Sequence, residues 1–171
     1  AHQRTIPSNY PVSYKTTIQT AGFLQVGTTF GHRLGIVDGT GTLQVERGSL
    51  PAGVYDDFFG PSGGTLEFSG PSSYDVLSEV AYVNNLRFSG TGERRLPNLS
   101  FTINGDLTIS GDDTNLLVEN EHNQGVSVHG DINFTQGSFD AGTGSDARLL
   151  FVGNAQQQIT GDFTGDNALN N

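Results

Sequence analysis

A motif in the last third of the chain has a diverged earlier copy, and this long repeat constrains the fold more than any other feature. The two copies align in two blocks, GSLPAG at 48–53 with GSFDAG at 137–142 (an offset of 89 residues) and LEF at 66–68 with LLF at 149–151 (an offset of 83). The chain is also rich in glycine, with 24 among 171 residues. A long repeat in a glycine-rich, polar chain indicates an architecture of stacked repeats.

Between and within the two copies, apolar and polar residues alternate in very short runs. These runs end at Gly, Asn or Asp, which tolerate the left-handed backbone angles of tight turns. The clearest runs are 83–88, 99–103, 107–109, 126–128 and 132–134. No window has the apolar spacing of a helix over two turns, so the sequence predicts almost no α-helix.

The shortness of the runs favours an all-β fold of the β-solenoid type, in which strand-and-turn coils stack at ~4.8 Å. Such coils need about 20 residues. Leu66 to Leu86 spans 20 residues and Leu107 to Val128 spans 21, whereas Leu86 to Ile103 fits less well. Short strands every 8–12 residues also describe a β-sandwich, which is the alternative fold.

The solenoid register predicts a set of inward-facing side chains that stack along its axis. The predicted inward residues are Leu66, Phe68, Leu86, Phe88, Phe101, Ile103, Leu107, Ile109, Val126, Val128, Ile132, Phe134, Leu149 and Phe151.

The chain divides into two regions, because residues 1–38 differ from the remainder. We expect residues 1–38 to form an irregular N-terminal arm and cap, with Phe23, Leu24, Phe30 and Leu34 as its buried face. Pro7 and Pro11 would keep the leading arm from pairing with another chain. Residues 39–171 would form the repeat solenoid, which we expect to continue beyond the C-terminus, because the last residues resemble the start of a further coil.

Four strings in the second region resemble the repeats of giant cell-surface adhesins of Bacteroidetes. They are Asn84–Phe88, Gly105–Ile109, Gly137–Gly144 and Leu149–Gly161, which match an "NNLTI"-like strand, a "GDLTI"-like strand, a "GSFNAGTG"-like turn and a "TFNGSGAQTISG"-like segment. The resemblance covers roughly residues 39–171. It implies a β-solenoid, export by the type IX secretion system, and a role in adhesion or gliding motility. The partners it implies are neighbouring repeats of the same chain and the secretion or outer-membrane machinery.

The charge and composition of the chain exclude several classes of function. The formal net charge is −10, and Lys15 is the only lysine, so the surface repels nucleic acid and anionic lipid headgroups. There is no cysteine, which removes disulfide frameworks and thiolate zinc sites. No run of ~18 apolar residues exists, so the sequence predicts no membrane span. These features suit an extracellular location.

Candidate catalytic and metal-binding residues are few, and solvated turns account for them. The adjacent acid pairs Asp56-Asp57 and Asp112-Asp113 lack partners in matching registers of successive coils, so we expect no enzyme. Gly142–Asp146 echoes a calcium-binding turn, but such turns work in tandem and only one copy is present. The sequence therefore predicts no cofactor beyond weak calcium binding. One further cluster has no metal-ligand spacing and comprises Glu119, Glu121, His122 and His129.

The loop that lengthens the first copy of the repeat is aromatic. Tyr55, Phe58 and Phe59 lie in it and are the candidate interaction patch, since both sugars and proteins stack on exposed rings. The alternative is that these rings fold back on the solenoid and are buried.

These observations together predict a non-enzymatic, secreted and surface-displayed structural stalk or scaffold of a bacterial adhesin, with surface glycans among its partners. The alternative function is a carbohydrate-active β-helix enzyme, a polysaccharide lyase or hydrolase. An ice-binding solenoid ranks last, because no flat row of Thr-x-Thr strands is present.

Overall fold

A computed structural model describes residues 14–76, 80–122, 124–142 and 148–161, without the side chains of residues 112–114. These residues form sixteen β-strands and one short helix, α1 (Asp56–Phe59). The strands are β1 (Lys15–Ile18), β2 (Phe23–Gly27), β3 (Arg33–Gly39), β4 (Thr42–Val45), β5 (Ala52–Val54), β6 (Thr65–Phe68), β7 (Tyr74–Asp75), β8 (Tyr82–Val83), β9 (Asn85–Arg95), β10 (Phe101–Ile103), β11 (Leu107–Glu119), β12 (Gly125–Val128), β13 (Ile132–Gln136), β14 (Ser138–Asp140), β15 (Arg148–Phe151) and β16 (Ile159–Gly161).

The strands stack in parallel, each against the equivalent strand of the neighbouring coil. All strand pairs of the described residues are parallel. The described residues form an all-β solenoid of about 6 turns. The predicted fold class is therefore confirmed, and the alternative β-sandwich, which is built from antiparallel sheets, is wrong.

Each face of the solenoid is a stack of strands, one from each coil. The longest sheet has the strand order β16-β13-β11-β9-β6-β4-β2. The strands that precede these in the chain form two shorter sheets, β1-β3-β5 and β15-β12-β10-β8. In the central coils β9 and β11 continue into a third face, where β7 pairs with β9 and β14 pairs with β11. Gly90 and Gly92 have φ of +75° and +84°, and they turn β9 between its two faces.

The inward side chains form ladders along the axis, as predicted. Leu43, Leu66, Leu86 and Leu107 occupy one register position of the long sheet in four successive coils. Twelve of the fourteen predicted inward residues are buried. The exceptions are Leu149, which is partly buried, and Phe151, which is 41% exposed. Both pair in register with buried residues of β12, but β15 is the last strand of its sheet in the described residues.

The long sequence repeat does not mark structurally equivalent positions along its whole length. Leu66 and Phe68 lie in β6 of the long sheet, whereas Leu149 and Phe151 lie in β15 of a different sheet. The structural repeat is instead the coil. Leu66 pairs with Leu86 as expected, but Val128 pairs with Ile103 and not with Leu107.

The regular coils begin well before residue 38, which the sequence analysis gave as the end of the N-terminal cap. Strands β1 and β2 stack on β3 and β4, so residues 15–38 already belong to regular coils, and residue 38 falls inside β3. The predicted buried face of a cap is wrong in two places, because Phe23 is 57% exposed and Phe30 is 82% exposed. The polar arm with Pro7 and Pro11 lies outside the described residues.

Helix α1 corrects the prediction of an exposed aromatic patch. Tyr55, Phe58 and Phe59 are all buried, and the rings of Tyr55 and Phe59 stack with their centroids 5.1 Å apart. The helix packs against β3 and β8, so its rings fill the space between two sheets that it separates. Burying three large rings supplies apolar contact that no strand provides at this point.

No helix in the described residues is long and apolar enough to cross a membrane.

One buried cation holds the corner between two faces. Arg94 is fully buried, and its guanidinium donates hydrogen bonds to the backbone carbonyls of Gly70 and Ser72, each at 2.7 Å. It also lies over the ring of Tyr74, 4.3 Å from the centroid. Desolvation by burial lowers the pKa of Arg94 and raises that of Tyr74 to about 12. The Arg94 side chain in β9 therefore links its own coil to backbone carbonyls of the preceding coil, those of Gly70 and Ser72.

Candidate functional site

A row of polar side chains runs along the outside of the long sheet. In-register pairing places Gln25 beside Gln44, Gln44 beside Glu67, and Glu67 beside Arg87. Each residue directly follows or precedes a residue of the inward ladders. Because successive strand residues point to opposite faces, the apolar ladders inside the solenoid impose this polar row outside it.

The row forms the floor of an open groove of about 500 Å³. Its polar lining includes Gln25, Gln44, Glu46, Glu67, Arg87 and Ser89. The residues that line it come from β2, β4, β6, β9 and β11, together with the turns that follow them. The groove therefore crosses five strands, a length of roughly 19 Å at about 4.8 Å for each of four steps.

Glu67 is the buried acid at the centre of this groove, with only 4% of its surface exposed. Its Oε1 accepts hydrogen bonds from Gln44 Nε2 at 2.9 Å and from Ser89 Oγ at 2.5 Å. Arg87 Nε lies 3.9 Å from the same oxygen. Burying a carboxylate is costly unless it is hydrogen-bonded and paired, and these three neighbours supply both kinds of partner.

Two further contacts fix the side chains on either side of Glu67. Gln25 Nε2 donates to Glu46 Oε1 at 3.1 Å, and Arg87 Nε donates to Ser110 Oγ at 3.0 Å. The groove thus contains hydrogen-bonded amides, hydroxyls, two carboxylates and one guanidinium whose side chain is 47% exposed. Such a surface can donate and accept hydrogen bonds along a ligand. Glu46 and Glu67 also lie on neighbouring coils and line the same groove.

The predicted candidate residues lie elsewhere. Tyr55, Phe58 and Phe59 are core residues, so they do not form an exposed patch. The side chains of Asp112 and Asp113, and residues 143–147 of the suggested calcium turn, lie outside the described residues. Within the part of the chain that is described, no group of three or more His, Cys, Asp or Glu side chains could hold a metal ion.

Of the predicted cluster of Glu119, Glu121, His122 and His129, Glu121 joins an ion-pair network around Arg95. Arg95 lies 2.5 Å from Asp75, 3.1 Å from Glu93 and 3.7 Å from Glu121. Hydrogen bonding to Glu93 is the largest cause that raises the pKa of Glu119 to about 7, followed by desolvation and by repulsion from Glu93. His122 and His129, the two histidines of the predicted cluster, are both exposed.

The sequence analysis did not identify Glu46, Glu67 or Arg87 as site residues, although the sequence carried a signal for Glu67 and Arg87. Gln44, Glu67 and Arg87 each follow a leucine of the inward ladder by one residue. Aligning the chain on Leu43, Leu66 and Leu86 would have placed the three side chains in one outward row. The burial of Glu67 depends on Gln44 and Ser89 in the neighbouring coils, which a single strand does not reveal.

Comparisons with protein-family models, with curated proteins and with solved structures found no match to this chain.

Proposed function

We propose that this chain is a non-enzymatic, secreted structural segment of a bacterial cell-surface adhesin, and that it serves as a stalk or scaffold in adhesion or gliding motility. The observation that carries the proposal is the ladder of Leu43, Leu66, Leu86 and Leu107, one residue for each of four stacked coils. A core that repeats along an axis gives a rod with length and stiffness, which is what a stalk needs.

The surface and the sequence add further support. A net charge of −10 keeps a displayed rod soluble and repels other acidic surfaces. The resemblance of Asn84–Phe88 and Gly105–Ile109 to adhesin repeats extends the proposal to export by type IX secretion. Its partners would be neighbouring repeats, the outer-membrane machinery and surface glycans, and its location would be the cell exterior.

Duplication of one coil tests the scaffold directly. A second copy of residues 107–131 inserted after residue 131 repeats the spacing of Leu107 to Ile132. Nearest-neighbour stacking predicts that the longer chain stays folded and monomeric and gains roughly 5 Å in length by small-angle scattering. A duplicated chain that aggregates or melts at a markedly lower temperature would contradict interchangeable coils.

Surface display is tested separately in the producing bacterium. An antibody against this chain is expected to label intact cells, and externally added protease is expected to remove the label. Labelling that needs permeabilised cells would refute the extracellular location, whatever the result of coil duplication.

The alternative function, a carbohydrate-active β-helix enzyme, is favoured by one observation. Glu46 and Glu67 lie in one groove on neighbouring coils, and Arg87 lies 3.9 Å from Glu67. If this were an active site, the chain would cleave a polysaccharide, and Glu46→Gln or Glu67→Gln would abolish turnover. A chain that releases no reducing ends or unsaturated products from a polysaccharide panel would leave the scaffold as the better proposal.

A further inference from the structure

The outer groove of the long sheet is a built polar site. Glu67 lies on the outward face of the sheet, where a carboxylate is normally solvated. It is buried there, and Gln44 and Ser89 donate hydrogen bonds to it. All three of its contacts fall on Oε1, and none of those made by the described residues reaches Oε2. A buried carboxylate that is fixed through one oxygen is preorganised to accept a hydrogen bond at the other.

The shape of the groove selects an elongated ligand. Its lining extends from Gln25 in β2 to Ser110 in β11, along the stacking axis. Hydrogen-bonding side chains recur on the successive coils, at Gln25, Gln44, Glu67 and Arg87. A linear polymer lying along the axis would meet a new polar group at steps of about 4.8 Å.

The chemistry of the lining argues against a peptide or a nucleic acid. Among the described residues no aromatic side chain lines the groove, so a base has no ring to stack on, and a sugar would be held by hydrogen bonds and not by stacking. The strand backbones under the groove are already paired with each other, so a peptide cannot add as a further strand. Hydroxyl groups, in contrast, both donate to carboxylates and accept from amides and guanidinium groups.

The charge decides between acidic and neutral sugars. The groove holds the carboxylates of Glu46 and Glu67 against the single guanidinium of Arg87, and the whole chain carries −10. A uronic-acid or sulfated polymer would therefore meet repulsion on approach and in contact.

We propose that this groove binds a neutral linear oligosaccharide, with Glu67 as the central acceptor, Arg87 as the half-exposed donor beside it, and Gln25 and Gln44 as flanking hydrogen-bonding groups. The inference rests on the proposed function in one respect only, which is that the ligand is held and not cleaved.

The test is a binding assay with defined probes. The full chain would be titrated by calorimetry with neutral hexasaccharides of the cello, xylo, manno and malto series, with oligogalacturonate as the acidic comparison. We expect binding to at least one neutral probe and weaker binding to the acidic one. Glu67→Gln keeps the acceptor for Gln44 and Ser89 but removes the charge, and Arg87→Ala removes the donor. Each is expected to weaken binding by roughly 10- to 100-fold.

Asn133→Ala is the matched control, since Asn133 occupies the same outward row two coils beyond Arg87 but does not line the groove. Its affinity is expected to equal that of the unaltered chain. The proposal is overturned if no neutral probe binds, if the acidic probe binds more tightly, or if Glu67→Gln and Arg87→Ala bind as the control does while their melting temperatures are unchanged. Cleavage of a bound probe would support the groove as a saccharide site and would refute the non-enzymatic function. Absence of binding would leave the coil-duplication test of the scaffold unaffected.

Discussion

Arg94 shows how a single residue can join two coils of the solenoid. Its guanidinium is fully buried without a carboxylate partner in contact among the described residues, and backbone carbonyls with the Tyr74 ring take that place. The planar fork of arginine suits several carbonyl acceptors at once, which a lysine ammonium does not match. The corner therefore depends on the side chain itself and not only on its charge.

The first prediction concerns this corner. Arg94→Ala leaves the carbonyls of Gly70 and Ser72 without donors and opens a cavity, so it is expected to cost about 3 kcal/mol of unfolding free energy. Thr91→Ala, in the same strand but only half-buried, is the control and is expected to cost at most about 1 kcal/mol. Equal losses in urea denaturation would contradict the role given to Arg94.

Glu119 makes the stability of the chain depend on pH. Its pKa in the folded chain is about 7, above the ordinary value of 4.5, so the folded state binds this proton more tightly than the unfolded state does. The resulting stabilisation is present below pH 4.5 and is lost as the pH rises through 7.

The second prediction follows from that sign. Glu119→Gln imitates the protonated form, so the variant is expected to melt at a higher temperature than the unaltered chain at pH 8. The difference should shrink as the pH falls and vanish near pH 4, where both side chains are neutral. Calorimetric melts at pH 4, 6 and 8 measure it, and a difference that does not vary with pH would refute the assignment.

The outward row was readable from the sequence, but the site was not. Gln44, Glu67 and Arg87 have the same place relative to the ladder leucines, so their alignment follows from the coil register alone. What makes Glu67 unusual is its burial between side chains of the preceding and following coils. That arrangement depends on contacts between coils, and these become visible only when the coils are stacked.

At the scale of elements, helix α1 is the departure from an otherwise repetitive architecture. Its acidic first turn, Asp56 and Asp57, leads into Phe58 and Phe59, which are buried. The helix separates the sheet β1-β3-β5 from the sheet that begins at β8. The inserted helix therefore does not interrupt the core, because its own aromatic rings are buried as part of the core.

The third prediction tests that element. Phe58 is fully buried, and Phe58→Ala is expected to cost about 3–5 kcal/mol through lost transfer energy and a cavity. Phe30→Ala is the matched control, because Phe30 is 82% exposed and contacts Arg47 through a cation–π interaction. Its loss is expected to be about 1 kcal/mol or less in the same denaturation assay. A Phe58→Ala chain as stable as the control would show that α1 is not part of the core.

The elements also show which parts of the fold a sequence can specify. Alternation and turn residues predicted the short strands and their inward faces, because those features are local. The long repeat misled the alignment of Leu66 with Leu149, since similar strand-and-turn strings occur on different faces of one solenoid. The aromatic loop was ambiguous, because the same run of rings is compatible with an exposed patch and with a buried cluster.

At the scale of the whole molecule, the balance of charge bears on calcium. The chain carries 18 acidic and 8 basic side chains, yet three of the acids, Asp75, Glu93 and Glu121, are engaged with Arg95. A full oxygen cage needs six to eight ligands, and no turn of the sequence supplies a full set of side-chain oxygens.

The fourth prediction is therefore that calcium has little effect on stability. Adding EGTA to the purified chain is expected to lower the melting temperature by no more than about 2–4 °C, corresponding to ~1 kcal/mol. Magnesium at the same ionic strength is the control for charge screening. A melting temperature that collapses with the chelator would show that a calcium site holds the coils together.

The stacking of each coil on its nearest neighbours has a consequence for how the chain acquires its structure. Paired residues are 19 positions apart between Leu24 and Leu43 and 27 apart between Ile132 and Ile159, so every coil closes a loop of similar and modest length. Loop-closure entropy is then nearly constant along the axis, and ordering can begin in one coil and spread to the next. Amide exchange should consequently be slowest in β9 and β11, which pair on two faces, and should quicken by degrees toward β2 and β16. A chain of this kind can therefore be ordered at one end while the other end is still unfolded.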